Sequence, residues 1–272
     1  MATKKPASES RALANWDEEL AKQALAAAQT EASVSTGNFF GTKSGVLSWN
    51  DAPLKNNEMV AVILDTVLEN VFYGSDYDPE NPQGPQCFAF GRGDAEMSPH
   101  EVVVANGTAV HETCKGCPNN EFGSAERGRG KACRNIRRLG LIPGGSFDNN
   151  GKFVMETDLD TFKSAQLGFL KIPVTSVKGY AAFVKQLAAS LKRPPLGVFT
   201  KIKVVPDADS QFKVTFEALG LVPNTHMAIV MERRAEASAT IDSPYSMEAE
   251  EKPVRGPASR KSAVPAKGKR KY

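Results

Sequence analysis

Hydrophobic and polar positions along this 272-residue chain follow two periods, and the switches between them predict its elements. The run Met-Val-Ala-Val-Ile-Leu from Met59, continued by Val67, Leu68, Val71 and Phe72, predicts β-structure over 59–73. Further strands are predicted at 86–90, 136–142, 153–156 and 168–174. Val177, Tyr180, Val184, Leu187 and Leu191 recur at three-and-four spacing, which predicts a helix with Ser176 as its cap and Pro194-Pro195 as its stop. A strand at 196–205, a turn at 206–210 and a hairpin partner at 211–219 follow, then a short helix over 224–237. Near the start, Trp16, Leu20 and Leu25 on an alanine-rich stretch predict a helix over 15–32. The breaker-rich stretches 37–45 and 76–85 read as loops.

The order strand, strand, strand, helix, strand, strand is the one a five-stranded OB barrel requires. The expected fold is therefore mainly β with flanking helices, an OB-fold-like barrel carrying a cysteine-rich insertion. The chain divides into an N-terminal arm and helix (1–36), the barrel domain (37–238, with the insertion at about 87–134) and a disordered tail (239–272), basic at its end.

Composition changes this picture at one point. A hydrophobic fraction of 41% and a charged fraction of 24% are those of an ordinary soluble globular protein. No apolar run is long enough to span a bilayer. The net charge of +3 is unevenly placed, however. Residues 252–272 hold eight Lys or Arg and no acid, so the rest of the chain carries −5. A nucleic-acid surface on the folded part must then be a local patch.

The four cysteines are Cys87, Cys114, Cys117 and Cys133. A pair two residues apart, joined by two more from distant loops, matches the tetrahedral thiolate site of structural zinc. A disulfide framework does not fit so sparse a set with no signal peptide ahead of it. A thioredoxin-like pair does not fit a context of Gly, Pro and Asn. His111 or His100 could stand in for Cys87 as fourth ligand. With four thiolates on the ion, no coordination position is left for catalysis.

Arg127, Arg129, Lys131, Arg134, Arg137 and Arg138 place six cations in twelve residues around the last cysteine. Gly128 and Gly130 between them allow close approach to phosphates. On the strand from Val198, alternation sets Phe199, Lys201 and Lys203 against the core positions Val198, Ile202 and Val204. Phe169 and Lys171 stand in the same relation to Leu170 and Ile172. An aromatic beside cations on a solvent face is a stacking platform with a phosphate track, suited to single-stranded nucleic acid. Catalytic signatures are lacking: there is no phosphate loop, no HExxH and no nucleophile elbow. The pairs Asp158/Asp160 and Asp76/Asp78 are the one nuclease-like option, and both lie in loop-like contexts. The cytidine-deaminase pattern fails because Thr113 stands where its proline belongs.

Cys114-Lys-Gly-Cys117-Pro-Asn-Asn-Glu-Phe-Gly-Ser-Ala, Gly128-Arg-Gly-Lys-Ala-Cys133-Arg-Asn, Ile172-Pro-Val-Thr-Ser, Lys192-Arg-Pro-Pro195 and Thr200-Lys-Ile-Lys203 together resemble a group of bacteriophage single-stranded-DNA-binding proteins. The resemblance covers roughly residues 45–245. In plan it is similar to the T4-type helix-destabilising protein, an OB fold with a zinc-binding insertion. It implies a structural zinc on Cys114, Cys117 and Cys133 with Cys87 fourth, and sequence-independent coating of single-stranded DNA in phage replication or recombination. It also implies replication or recombination proteins as partners, no enzymatic activity, and a location in the cytoplasm of an infected bacterium. The T4-type site includes a histidine and such proteins usually end in an acidic tail; this chain offers four cysteines and a basic end. The competing expectation is a zinc-ribbon accessory factor that docks on a polymerase to modulate transcription.

Overall fold

The computed structural model describes residues 20, 22–23, 38–74, 83–126 and 128–245. The N-terminal helix expected over 15–32 falls almost wholly outside these residues, as do the basic tail, Asp76, Asp78 and Arg127.

The described residues form a mainly β molecule with four helices. In chain order they are β1 (Phe39–Gly41), β2 (Ser48–Trp49), β3 (Ala52–Pro53), β4 (Glu58–Phe72), β5 (Cys87–Gly91), α1 (Glu101–Ala105), β6 (Arg134–Phe147), β7 (Phe153–Met155), α2 (Leu159–Ser164), β8 (Gly168–Ile172), α3 (Val174–Gln186), β9 (Val198–Asp207), β10 (Gln211–Leu221) and α4 (Met227–Thr240). All ten strands join one mixed sheet in the order β10-β9-β4-β6-β8-β1-β2-β3, with β5 added to β4 and β7 to β6. The long β4 carries this arrangement. Its first residues pair with β9 (Glu58↔Lys203 to Ala61↔Thr200), its last with β5, and most of its length with β6.

The sheet does not close into the expected barrel. Closure would need β8 to receive a strand on its outer edge, and that edge is taken by β1, which runs parallel to it at Phe39↔Phe169 and Phe40↔Leu170. The stretch expected as a loop at 37–45 therefore contributes the strand that keeps the sheet open.

Both faces of the sheet are buried, and this decides the fate of the predicted platform. One face packs Ala61, Ile63, Leu139, Leu141, Ile202 and Val204 against Tyr180, Phe183 and Leu187 of the α3 region. The other packs Val60, Val62, Leu64 and Ile142 against Phe162 of α2 and Ile229, Val230 and Ala237 of α4. Phe199 points into this second core and is 0% exposed, between Phe153 (5.6 Å) and Phe162 (6.4 Å). Phe169 is also buried, with its ring 5.5 Å from Phe39. Neither ring is presented for base stacking. Alternation alone predicts core against solvent, whereas α2 and α4 turn the second face into another interior. Glycines in β6 permit the close approach. A methyl at Gly140 would lie 3.1 Å from the Ala237 Cβ, and one at Gly144 would lie 2.8 Å from the Phe199 ring.

Ser176 is not the helix cap. Pro173 holds that position, while the buried Ser176 hydroxyl accepts from Val214 N of β10 at 2.8 Å.

Replacing Phe199 by Ala should lower unfolding free energy by about 3–5 kcal/mol in chemical denaturation, the cost of emptying an aromatic site in a packed core. A loss within experimental error would return this ring to solvent.

Candidate functional site

Four thiols reach one cavity from three parts of the fold. Cys87 opens β5 opposite Phe72, Cys114 and Cys117 bracket a turn, and Cys133 immediately precedes β6. The turn depends on Gly116 at φ +80°, a conformation unfavourable for residues with a Cβ. Backbone bonds hold its ends: Cys114 N to Met97 O (2.9 Å), Asn120 N to Cys117 O (2.9 Å) and Cys133 N to Asn119 O (2.7 Å). None of the four is in a disulfide. All four line a cavity of about 20 Å³, room for roughly one water-sized body. Among the described residues no three His, Cys, Asp or Glu side chains are already gathered in a metal-binding arrangement. The thiols thus share a chamber without converging on one point.

Electrostatics marks the chamber as unfavourable for bare thiolates. Burial, then the neighbouring Cys114, Cys87 and Cys117, push the Cys133 thiol up to about 12. Burial also raises Cys114, with Cys87 and Cys117 adding to the push and Asn70 opposing it. Asn70 Nδ2 is buried and makes no well-formed hydrogen bond, yet it acts on the Cys114 sulfur. A thiolate there would satisfy this amide far better than a neutral thiol does. The donor set and the orphaned amide both fit a bound zinc ion. His111 also lines the chamber, with Nδ1 engaged by the Thr113 backbone. His100 is committed elsewhere: its Nδ1 accepts from Val102 N (3.2 Å) at the start of α1 and its ring lies 5.1 Å from Phe88.

The loop between Cys117 and Cys133 is tightly tied. Gly123 N and Ala125 N both donate to Gly130 O (2.9 and 3.2 Å). Ser124 Oγ accepts from Ala132 N (2.9 Å) and donates to Glu121 O (2.6 Å). Asn135 Nδ2 of β6 donates to Asn120 Oδ1 (2.9 Å) and to Asn70 Oδ1 (2.6 Å), fastening the loop's base to the sheet. Arg129 and Arg134 are exposed, and Lys131 is half-buried with Nζ 3.3 Å from Asn120 Oδ1. Arg137 is half-buried and donates to the Ile136 carbonyl (3.0 Å).

Arg138 is not part of this exposed set. It is 2% exposed and forms a two-pronged pair with the fully buried Glu69 of β4, Nε to Oε2 at 2.8 Å and Nη2 to Oε1 at 3.0 Å. Its Nη1 donates to the carbonyls of Ile241 and Ser243, each at 2.9 Å. Phe90, Phe39 and Tyr245 surround the guanidinium at 4.4, 5.3 and 5.5 Å. The Tyr245 hydroxyl donates to Glu69 Oε1. Residues 241–245, which composition assigns to the tail, are thereby drawn onto the sheet.

Beside this pair opens a cleft of about 390 Å³, bordered by Tyr73, Tyr245, Arg134 and Lys171. Arg134 follows Cys133 directly and its guanidinium stands 5.5 Å over the Tyr73 ring. Lys171 Nζ lies 3.8 Å from the Tyr245 ring centre and 3.7 Å from Glu69 Oε1. Burial pulls its ammonium down to about 8, with Glu69 opposing and Arg138 reinforcing that shift. Of the predicted contacts the cleft unites Arg134 and Lys171 and leaves out the rest. Lys201 and Lys203 sit elsewhere, both beside Glu58 (3.7 and 3.0 Å). Asp158 caps α2 by accepting from Asp160 N (3.1 Å) and Thr161 Oγ1 (3.0 Å).

Sequence reasoning missed both tyrosines. Tyr73 ends the apolar run of β4, where the change to Gly and Ser was a usable signal for a rim residue. Tyr245 lies in a Ser/Pro/Glu-rich stretch with none. No protein-family model, curated protein or solved structure matches the chain. No helix among the described residues is long and apolar enough to cross a membrane.

Substituting Arg138 by Met should cost about 3–5 kcal/mol of stability, because it strands a buried carboxylate. The double variant Arg138→Met with Glu69→Gln should recover part of the loss, and thermal unfolding of the three proteins measures it.

Proposed function

We propose that this chain binds and coats single-stranded DNA with little dependence on base sequence, using the tyrosine-lined cleft, and that a structural zinc ion on Cys87, Cys114, Cys117 and Cys133 fixes the basic loop beside it. The observation that carries this reading is the cleft. Two aromatic rings and two cations border a space of about 390 Å³, and stacking rings beside phosphate-seeking cations are what unpaired strands bind. A duplex buries its base faces in its own stack and has none to offer.

The strand plan is consistent with it. The order β10-β9-β4-β6-β8, with α3 between β8 and β9, supports the reading, because an OB barrel cut between its third and fifth strands would leave the same order. In this proposal the barrel is pried apart by β1, and the binding surface moves from the strand face to the rim where β4 and β8 end and β6 begins. The zinc ion supplies no chemistry on the nucleic acid. It neutralises the crowded thiolates and holds the loop in one arrangement, lowering the ordering cost of binding. Arg134 and Lys171 draw phosphate, while Tyr73 offers a ring face and Tyr245, packed against Phe88, Arg138 and Lys171, walls the cleft. No enzymatic step belongs to the proposal. The setting in phage replication or recombination, with proteins of that machinery as partners, rests on the resemblance of the cysteine segment.

Protein isolated without chelator should carry one zinc per chain by elemental analysis, and Cys114→Ser should lower that content and expose the loop to protease. Four freely titratable thiols with no zinc would remove the ion from the account.

Labelled oligo-dT should bind far more tightly than duplex of equal length, with affinity falling steeply as salt rises. Tyr73→Ala should cost about 1–3 kcal/mol of that affinity. Phosphate next to Lys171 favours its charged form, so binding takes up a proton once pH passes about 8. Affinity should therefore weaken between pH 7 and 9 in the wild type, and Lys171→Met should flatten that dependence. Equal affinity for duplex and single strand would sink the proposal.

A further inference from the structure

Phe122 is 82% exposed, the most solvent-open large apolar side chain among the described residues, and nothing in the cleft makes use of it. Its exposure does not come from a slack segment. The Gly123 and Ala125 amides on Gly130 O, together with the Ser124 hydroxyl bridging Glu121 and Ala132, hold the loop on either side of the ring. Zinc on the flanking cysteines would add a further tie at both ends.

Charge around the ring is also specific. Lys131 Nζ stands 5.1 Å from the ring centre on one side, itself held by Asn120 Oδ1 at 3.3 Å. That contact occupies one face of the ring with a cation and leaves the ring otherwise open. Arg129, two residues earlier in the chain, is exposed. An apolar ring kept in water on a constrained loop and backed by an ammonium, with the exposed Arg129 next in the chain to the Gly130 whose carbonyl holds Gly123 N, has the components of a base-stacking finger. A protein-docking patch of ordinary kind would instead be a contiguous apolar area with few charges. Here the neighbours of Phe122 in the chain are Glu121, Gly123 and Ser124.

We infer that Phe122 is a second, separate base-stacking site, which takes one unpaired nucleobase on its free face while Lys131 and Arg129 engage the adjoining phosphates. The inference rests on the single-strand reading above and extends it: the strand would be gripped at the cleft and again on the zinc loop. Stacking on a bare ring reads no hydrogen-bond pattern, so this contact adds affinity without adding sequence preference.

The test uses the full chain with fluorescent oligo-dT, comparing wild type, Phe122→Ala and Phe122→Trp, each checked for unchanged zinc content and melting temperature. Phe122→Ala should weaken binding by about 5- to 150-fold, the range for one lost stacking contact. Its salt slope should stay that of the wild type, since no phosphate contact is removed. Phe122→Trp should retain affinity, and its additional indole emission should be quenched when the oligonucleotide binds. If the wild type binds single strands but Phe122→Ala binds equally well and the new indole is unquenched, the finger is refuted while the cleft reading stands. If the wild type fails to prefer single strands at all, both fall together.

Discussion

The buried Glu69–Arg138 pair is the constraint on which the architecture of the site turns. A carboxylate with no solvent access is tolerable only with its charge matched and its lone pairs occupied. Arg138 meets it with two parallel hydrogen bonds, and Tyr245 and Lys171 engage the same carboxylate. These partners come from β6, from the segment after α4 and from β8. One acid on β4 therefore gathers three other parts of the chain at the same corner. The cleft exists because they are held there. Remove the charge match and its floor, its tyrosine wall and its ammonium lose their common anchor.

The thiol chamber plays the corresponding part on the neighbouring side. Burial and the neighbouring thiols push Cys133 up, and burial raises Cys87 and Cys114 as well, so the neutral thiol is favoured at these three positions. A divalent cation bound there would reverse that balance and make ionised sulfur the favoured form. Asn120, Asn135 and Asn70 then connect the chamber to the sheet through side-chain amides. The loop and the cleft are thereby built on the same two strands, β4 and β6. Cations on the loop and rings at the rim share one rigid base.

Much of this was legible in the chain itself, and the failures have physical causes. β4, β5 and the β9–β10 hairpin follow from apolar periodicity, because strands buried on at least one face must show it. The cysteine spacing pointed to a shared site, since tight Gly-containing turns are a local property. Phe199 was misread because alternation shows that a strand has two different faces, not what covers each. The covering helices α2 and α4 lie before β8 and after β10, too distant in sequence to enter the pattern. Arg138 was misread for a related reason. Within a run of cations nothing distinguishes the one whose partner, Glu69, lies 69 residues earlier. The small strands β1 to β3 hide among Gly, Ser and Asn, whose turn propensity outweighs a few paired residues. Tyr245 carries no periodic signal, so only tertiary hydrogen bonding reveals it.

One hydroxyl has a wider role than its size suggests. Because β1 holds the outer side of β8, the last long strand, β10, ends the sheet among the described residues, with no described strand on its outer side. Ser176 Oγ accepts from one amide of β10, Val214 N, and the start of α3 comes to lie along that margin. An unguarded margin of this kind invites pairing between copies and, from there, aggregation. The serine thus fastens the helix start to that margin and takes up one of the amides through which another strand could pair.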